Sequence, residues 1–323
     1  YLWGRLMAYT PSEFKDYILK NRKDFIALSK AQEKELGRLY IRFAEYAKAE
    51  ADKIVNKEGL TYAVKKKLIS DLLAEAAELT DDFKSLLDKS IIESANLGKE
   101  ATEAIMRRYQ QRLAGIGVNI DFSALTYKIP DDVIKLAYSR ILEDGLKLSD
   151  RIWTLNKRTR GELERIILEE IATGRPASSK VLEARLNSLL NPDRRFVRTS
   201  LHGRNVSFDA ARLLRSERAI AFREADRMAA LSNPGNVGIK WILSTRPCAK
   251  CIDISQADDF GLGSGVYPVE QVPTNPHPQC MCTTYEITLS SSQFVNNWIE
   301  WMRDKSTHPK LNQWYDTYYK KVA

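Results

Sequence analysis

The sequence predicts a mainly α fold, helical through its N-terminal and middle regions, with a small α+β region at its C-terminal end. Three observations predict it. Apolar residues recur at helical spacing through most of the first 232 positions. The breaker Ser232-Asn233-Pro234-Gly235 ends that pattern. Two runs of strand character then flank a loop rich in glycine and proline. The expected division is residues 1–148 as an N-terminal helical domain, 149–232 as a basic helical part, and 233–323 as a small sheet with two terminal helices.

Thr10-Pro11-Ser12-Glu13 reads as a capping box with proline at the first helical position. Leu36, Tyr40, Phe43, Ala47, Ala51 and Ile54 lie on one helical face, and Gly59 is the expected stop. Val64, Leu68, Leu72, Leu73 and Ala76 mark a second helix. Thr80-Asp81-Asp82 would cap a third through Phe83, Leu86, Leu87 and Ile91, and a fourth follows Gly98 as far as Gly115 and Gly117. Residues 118–129 have no clear period. Pro130-Asp131-Asp132 starts a helix that ends at Gly145. Such stripes are the core faces of antiparallel helices.

Ser149 would cap a helix through Ile152, Trp153, Leu163 and Ile171 that stops at Gly174. A short helix is expected from Ser179 to Leu190, stopped by Asn191-Pro192, and a long one from Ser207 to Leu231. Gly238-Ile239-Lys240-Trp241-Ile242-Leu243 reads as a strand, residues 252–276 as a loop, and Thr283-Thr284-Tyr285-Glu286-Ile287-Thr288-Leu289 as a second strand. Ser290-Ser291-Ser292 would cap a helix carrying Phe294, Trp298 and Trp301, an aromatic stripe more suited to packing than to stacking on bases. A last helix holds Trp314, Tyr315, Tyr318 and Tyr319.

Hydrophobic content of 44% and charged content of 28% over 323 residues are those of a globular chain able to bury a sizeable core. No uncharged apolar run approaches the length of about 18 residues that a membrane span needs, and the opening residues Tyr1-Leu2-Trp3-Gly4-Arg5-Leu6 do not read as a secretory leader. The net charge is +8, unevenly spread. Residues 1–150 carry 25 basic and 24 acidic side chains and residues 233–323 carry 8 of each, whereas residues 151–232 carry 17 and 10. Fifteen of those 17 are arginine, the side chain suited to bidentate phosphate contact. Arg194, Arg195, Arg198, Arg204 and Arg212 are therefore the candidate contacts to double-stranded DNA, read without regard to sequence. Arg215, Arg218, Arg223 and Arg227 continue the series along the long helix, among Asp209, Glu217, Glu224 and Asp226.

All four cysteines and one of three histidines fall between positions 248 and 282. Cys248 and Cys251 form a C-x-x-C knuckle; His277, Cys280 and Cys282 follow one loop later. Two short clusters joined by a loop suit a tetrahedral metal site, and zinc would take four of these five donors. A full shell of protein ligands is structural, because it keeps no open position. Few cysteines in one cluster also point to a reducing compartment. Pro247-Cys248-Ala249-Lys250-Cys251 matches the P-C-x-x-C of zinc deaminases, which also need an upstream H-x-E. His202-Gly203-Arg204 does not provide it. Nothing singles out a cysteine and histidine pair for a protease, and no catalytic residue is assigned.

From about Ser149 onward the chain resembles the minor head proteins of tailed bacteriophages, of the phage Mu protein F type, also called the head morphogenesis family. Leu148-Ser149-Asp150-Arg151-Ile152-Trp153 with Ile171-Ala172-Thr173-Gly174-Arg175-Pro176 is similar to the family's first helix pair. Ala211-Arg212-Leu213-Leu214-Arg215-Ser216-Glu217 is similar to its R-T/S-E helix. Trp241, Thr245-Arg246-Pro247-Cys248-Ala249-Lys250-Cys251 and His277-Pro278-Gln279-Cys280-Met281-Cys282 match its cysteine-rich ending. Met281 stands where the family usually has arginine, and Ser244-Thr245-Arg246 lacks the aspartate that commonly precedes that arginine. The resemblance covers a little over half the chain. It implies a non-enzymatic virion protein at low copy number, in the capsid interior near the portal, made in the host bacterial cytoplasm during assembly. Its implied partners are the portal protein, the major capsid or scaffold protein, and packaged DNA, with a role in head assembly and DNA packaging or ejection. An effector or toxin-like enzyme carrying such a domain, and a portal adaptor without DNA contact, are the alternative readings.

Overall fold

The computed structural model describes residues 11–55, 62–142, 145–172, 179–190 and 205–320. Among them the chain is mainly helical with one small antiparallel sheet. The helices are α1 (Lys15–Val55), α2 (Tyr62–Ala114), α3 (Ile129–Ser139), α4 (Leu148–Ala172), α5 (Ser179–Leu190), α6 (Val206–Ser232), α7 (Ala249–Gln256), α8 (Ser291–Arg303) and α9 (Pro309–Trp314). The strands are β1 (Asn236–Ile242), β2 (Val266–Tyr267) and β3 (Thr283–Thr288). No helix among the described residues is long and apolar enough to cross a membrane.

Phe14, Ile18, Phe25, Leu36, Tyr40, Phe43 and Ala47 form one buried stripe along α1 and the turn before it. The expected capping box depends on Thr10. Pro11 leads a single 3-10 turn without a side-chain cap, and Thr10 lies outside the described residues. Three helices expected between Val64 and Gly117 are one helix of 53 residues. Thr80 does not cap; its hydroxyl donates to the Ala76 carbonyl at 3.0 Å inside the helix. Gly98 sits within α2, and a Cβ there would lie 2.3 Å from the Phe222 carbonyl oxygen of α6. Glycine marks a close approach of two backbones at this point, not a helix end. The stops expected at Gly59 and Gly174 and at Asn191-Pro192 lie outside the described residues.

The chain forms two compact units, and they are not the three contiguous stretches expected at 1–148, 149–232 and 233–323. Within the described residues, one unit comprises residues 11–28, 91–136 and 215–320; the other comprises 29–55, 62–90, 137–142, 145–172, 179–190 and 205–214. Helices α1, α2, α3 and α6 each contribute residues to both. Periodicity identifies such helices but not which segments of each pack together.

Among its described residues the second unit holds helices and no strand. Its core includes Leu36, Tyr40, Phe43, Leu72, Phe83, Leu87, Leu163, Leu190 and Leu214. Tyr138 donates to Asp88 at 2.6 Å, and Arg158 pairs with Asp209. Asn205 caps α6 by accepting the Phe208 N–H at 2.8 Å, one residue earlier than the sequence suggested.

The first unit holds the sheet, in the order β2-β1-β3. Pairing runs from Gly238 opposite Ile287 to Ile242 opposite Thr283, with a bulge between Asn236 and Gly238. Strand β2 pairs Tyr267 with Ile239, inside the stretch expected to be loop. Tyr285 and Ile287 pack with Ile18, Ile242 and Val266. Helix α8 begins with the expected Ser290 cap, reinforced by Gln293. Phe294, Trp298 and Trp301 are all buried, in a cluster with Phe14, Tyr109, Phe122 and Trp314. Burying each ring stabilises the fold by about 2–3 kcal/mol, so the stripe is core and not a base-stacking platform.

Candidate metal centre

Strand β1 leads through Leu243 and Ser244 to the first knuckle, and β3 starts one residue after Cys282. The register that sets Ile242 opposite Thr283 therefore brings the two cysteine clusters to the same end of the sheet. Cys248 is the residue before α7, and Cys251 lies in the helix's first turn. The second cluster turns at Gln279, whose φ of 60° is the only positive value among the described non-glycine residues. Its N–H donates to Ser216 Oγ at 2.9 Å, which anchors the turn to α6.

All five predicted donors converge. Ligand atoms of Cys248, Cys251 and His277 lie within 4.8 Å of one another, as do those of Cys251, Cys280 and Cys282. Cys251 is common to both groups and is buried, as are Cys280 and Cys282; Cys248 is exposed. Cys251 Sγ lies 3.6 Å from Cys280 Sγ. His277 Nε2 lies 3.2 Å from Cys248 Sγ and 3.1 Å from Cys251 Sγ. Tetrahedral zinc with Zn–S of about 2.3 Å sets neighbouring sulfurs about 3.8 Å apart, close to the Cys251–Cys280 spacing. His277 Nδ1 lies 2.8 Å from the Pro278 carbonyl oxygen. Donation there leaves Nε2 with a free lone pair facing the sulfurs, the arrangement usual for a metal-binding histidine. The donor set thus fits a thiophilic divalent ion.

The thiols are electrostatically interdependent. Cys282 is held down at about 5, first by the hydrogen bond from the Cys280 thiol and further by Ser244, whose N–H donates to its sulfur at 3.3 Å. The Cys280 thiol is pushed up by that same bond and by burial. Burial, followed by the Cys282 charge, pushes Cys251 up to about 12. Burial thus opposes ionising Cys251, Cys280 and Cys282, whereas a bound cation would hold its ligands as thiolates.

Two arginines that the sequence did not assign to the cluster stand beside it. Arg223, buried in α6, donates from Nε to the Thr274 carbonyl at 2.7 Å and from Nη1 to the Cys282 carbonyl at 2.6 Å and the Cys280 carbonyl at 3.4 Å. Its guanidinium lies over the Trp241 ring, 5.7 Å from the centroid. Arg22 of α1 donates to the Leu243 carbonyl at 2.7 Å. Burial lowers the pKa of both, and nearby cysteine charge raises it in each case. The sequence signal was only an arginine among apolar helix neighbours, which a solvated face also produces.

Of the candidate DNA contacts, Arg194, Arg195, Arg198 and Arg204 lie outside the described residues. Arg212 is half-buried on α6, as are Arg215 and Arg227. The expected continuation of a phosphate-facing row through Arg218 and Arg223 fails, because both side chains are fully buried. The short spacing of charge along α6 reflects buried polar contacts as well as surface. His202 lies outside the described residues, and His308 pairs with Glu300 at 2.9 Å. Known protein families, curated proteins and solved structures yield no match to this chain.

Proposed function

We propose that this chain is a non-enzymatic structural protein with a zinc-pinned C-terminal sheet, and that it serves as a minor head protein of a tailed phage. The observation that carries the metal reading is the convergence of two short donor turns on buried Cys251, with His277 Nδ1 already engaged. Four of Cys248, Cys251, His277, Cys280 and Cys282 would hold the ion, which supplies a crosslink between the ends of β1 and β3. Four protein ligands leave no position for a water nucleophile, so the centre is a fastening and not a catalyst.

The phage reading is supported by the order and spacing of the three resembling stretches and by the basic character of residues 151–232. In that reading the chain enters the prohead with the portal protein, in reach of scaffold or major capsid protein, and touches packaged DNA through phosphates. Co-expression with portal and scaffold tests it: the chain should be recovered in proheads at low copy number. Exclusion from proheads, or turnover of a nucleotide or nucleic acid by the purified chain, would overturn it. Recovery in proheads without any affinity for duplex DNA would reduce the role to that of a portal adaptor.

A further inference from the structure

Each donor turn is held at its backbone by an arginine from a helix distant in sequence. Arg22 takes the Leu243 carbonyl just before the first knuckle. Arg223 takes three carbonyls around the second, at Thr274, Cys280 and Cys282. Arg223 is 1% exposed. Carbonyls accept from its Nε and Nη1 but do not neutralise its charge, and an uncompensated buried cation costs several kcal/mol. The turn it holds carries Cys280 and Cys282, two of the proposed ligands, and Glu224 is its neighbour along α6. The Glu224 carboxylate is engaged with Arg227 at 2.9 Å and with the Thr274 hydroxyl at 2.5 Å. With a metal bound, the thiolates of that turn would supply the counter-charge of Arg223.

From this placement we propose that Arg223 is a positioning residue of the metal centre: it fixes the carbonyls of the Cys280–Cys282 turn and sets a permanent positive charge against the metal-bound thiolates. This rests on the metal reading above. A metal bound by thiolates carries net negative charge, which a buried guanidinium stabilises in place of water. Lysine retains the charge but not the planar fork that reaches three carbonyls. Methionine retains much of the packing and neither of the other properties.

The test is zinc affinity of the full chain by competition with a chromogenic chelator, with the visible spectrum of the cobalt(II)-loaded protein as a second readout. Arg223→Met should weaken zinc binding by about tenfold to a hundredfold, the range usual for outer-sphere partners of a metal site. Arg223→Lys should recover part of that loss and shift the cobalt ligand-field bands, because the turn is no longer held in one geometry. A purely structural role would instead lower the melting temperature of metal-free and metal-loaded protein equally. Unchanged affinity and spectrum in folded Arg223→Lys overturn the proposal, even if Arg223→Met does not fold. A wild-type chain that takes up no zinc overturns the metal reading and this inference together, and the wild-type arm alone reveals that outcome.

Discussion

The Glu13 carboxylate accepts both the backbone N–H of Ser291, at 2.8 Å, and its hydroxyl, at 2.9 Å, across 278 positions of sequence. Glu13 is thus an N-terminal cap for α8, supplied by the opposite end of the chain, where an acidic group also suits the helix dipole. Ser290 and Gln293 cap the same terminus locally.

Glu13→Ala should therefore cost about 1–2 kcal/mol in urea unfolding, the value of a lost cap with a partly buried donor left behind. A double-mutant cycle with Ser291→Ala should show coupling of at least about 0.5 kcal/mol. Additive effects would mean the two residues act independently.

Gly98→Ala places a methyl against the Phe222 carbonyl and within 2.8 Å of Ala225 Cβ. Helix propensity alone would favour alanine by about 1 kcal/mol. Overpacking of α2 on α6 should win and destabilise by about 1–3 kcal/mol in denaturant unfolding. A stabilised variant would show that the two helices can separate without loss.

Zinc removal should lower stability by at least about 3 kcal/mol, the linkage of a ligand held at a hundredfold above its Kd. Elemental analysis after reducing purification should find one zinc per chain. Cys251→Ser should lose it and loosen the sheet far more than the helices around Leu72 and Phe83, which hydrogen exchange can resolve. Equal protection with and without chelator would contradict this.

Glu286 and Asp226 are buried. Burial pushes Glu286 up to about 8, against hydrogen bonds from Asn236, Thr102 and Asn233. Burial pushes Asp226 up to about 7, against its bond from Thr284. Both folded values exceed the unfolded ones, so the folded state binds more protons and this pair's contribution to stability is lost as pH rises. The window opens near the ordinary carboxylate range, about pH 4, and closes near pH 8. Zinc-saturated wild type should lose stability relative to Glu286→Gln as pH goes from 5 to 8, measured by urea midpoints. A constant difference between the two proteins would refute the shift.

Replacing Arg194, Arg195 and Arg198 with glutamine should lower duplex affinity evenly across sequences. It should also flatten the dependence of log affinity on log salt by up to about one unit for each phosphate that is no longer neutralised. An unchanged salt slope would remove these residues from any role in DNA binding.

The sequence by itself determined that most of the described residues before Asn233 are helical, the bounds of α5 and α6 to within a residue, the two long strands, the Ser290 cap and all five side chains of the Cys/His cluster. These are local properties: a period, a breaker or a ligand spacing is complete within a short stretch. Tertiary structure decided what depends on a distant partner. Gly98 and Thr80 look like helix boundaries in sequence, but packing of α2 on α6 gives the glycine its use, and an internal hydrogen bond occupies the threonine. Arg218 and Arg223 look like a charged surface, because sequence records a side chain's charge and not its burial, nor the distant carbonyls that hold Arg223 in the core. Glu13 reads as part of its own helix start, yet it caps a helix near the other end of the chain. The tertiary fold also joins segments of α1, α2 and α6 to partners hundreds of residues away, since a helical stripe specifies that a face must be buried and leaves open which surface buries it.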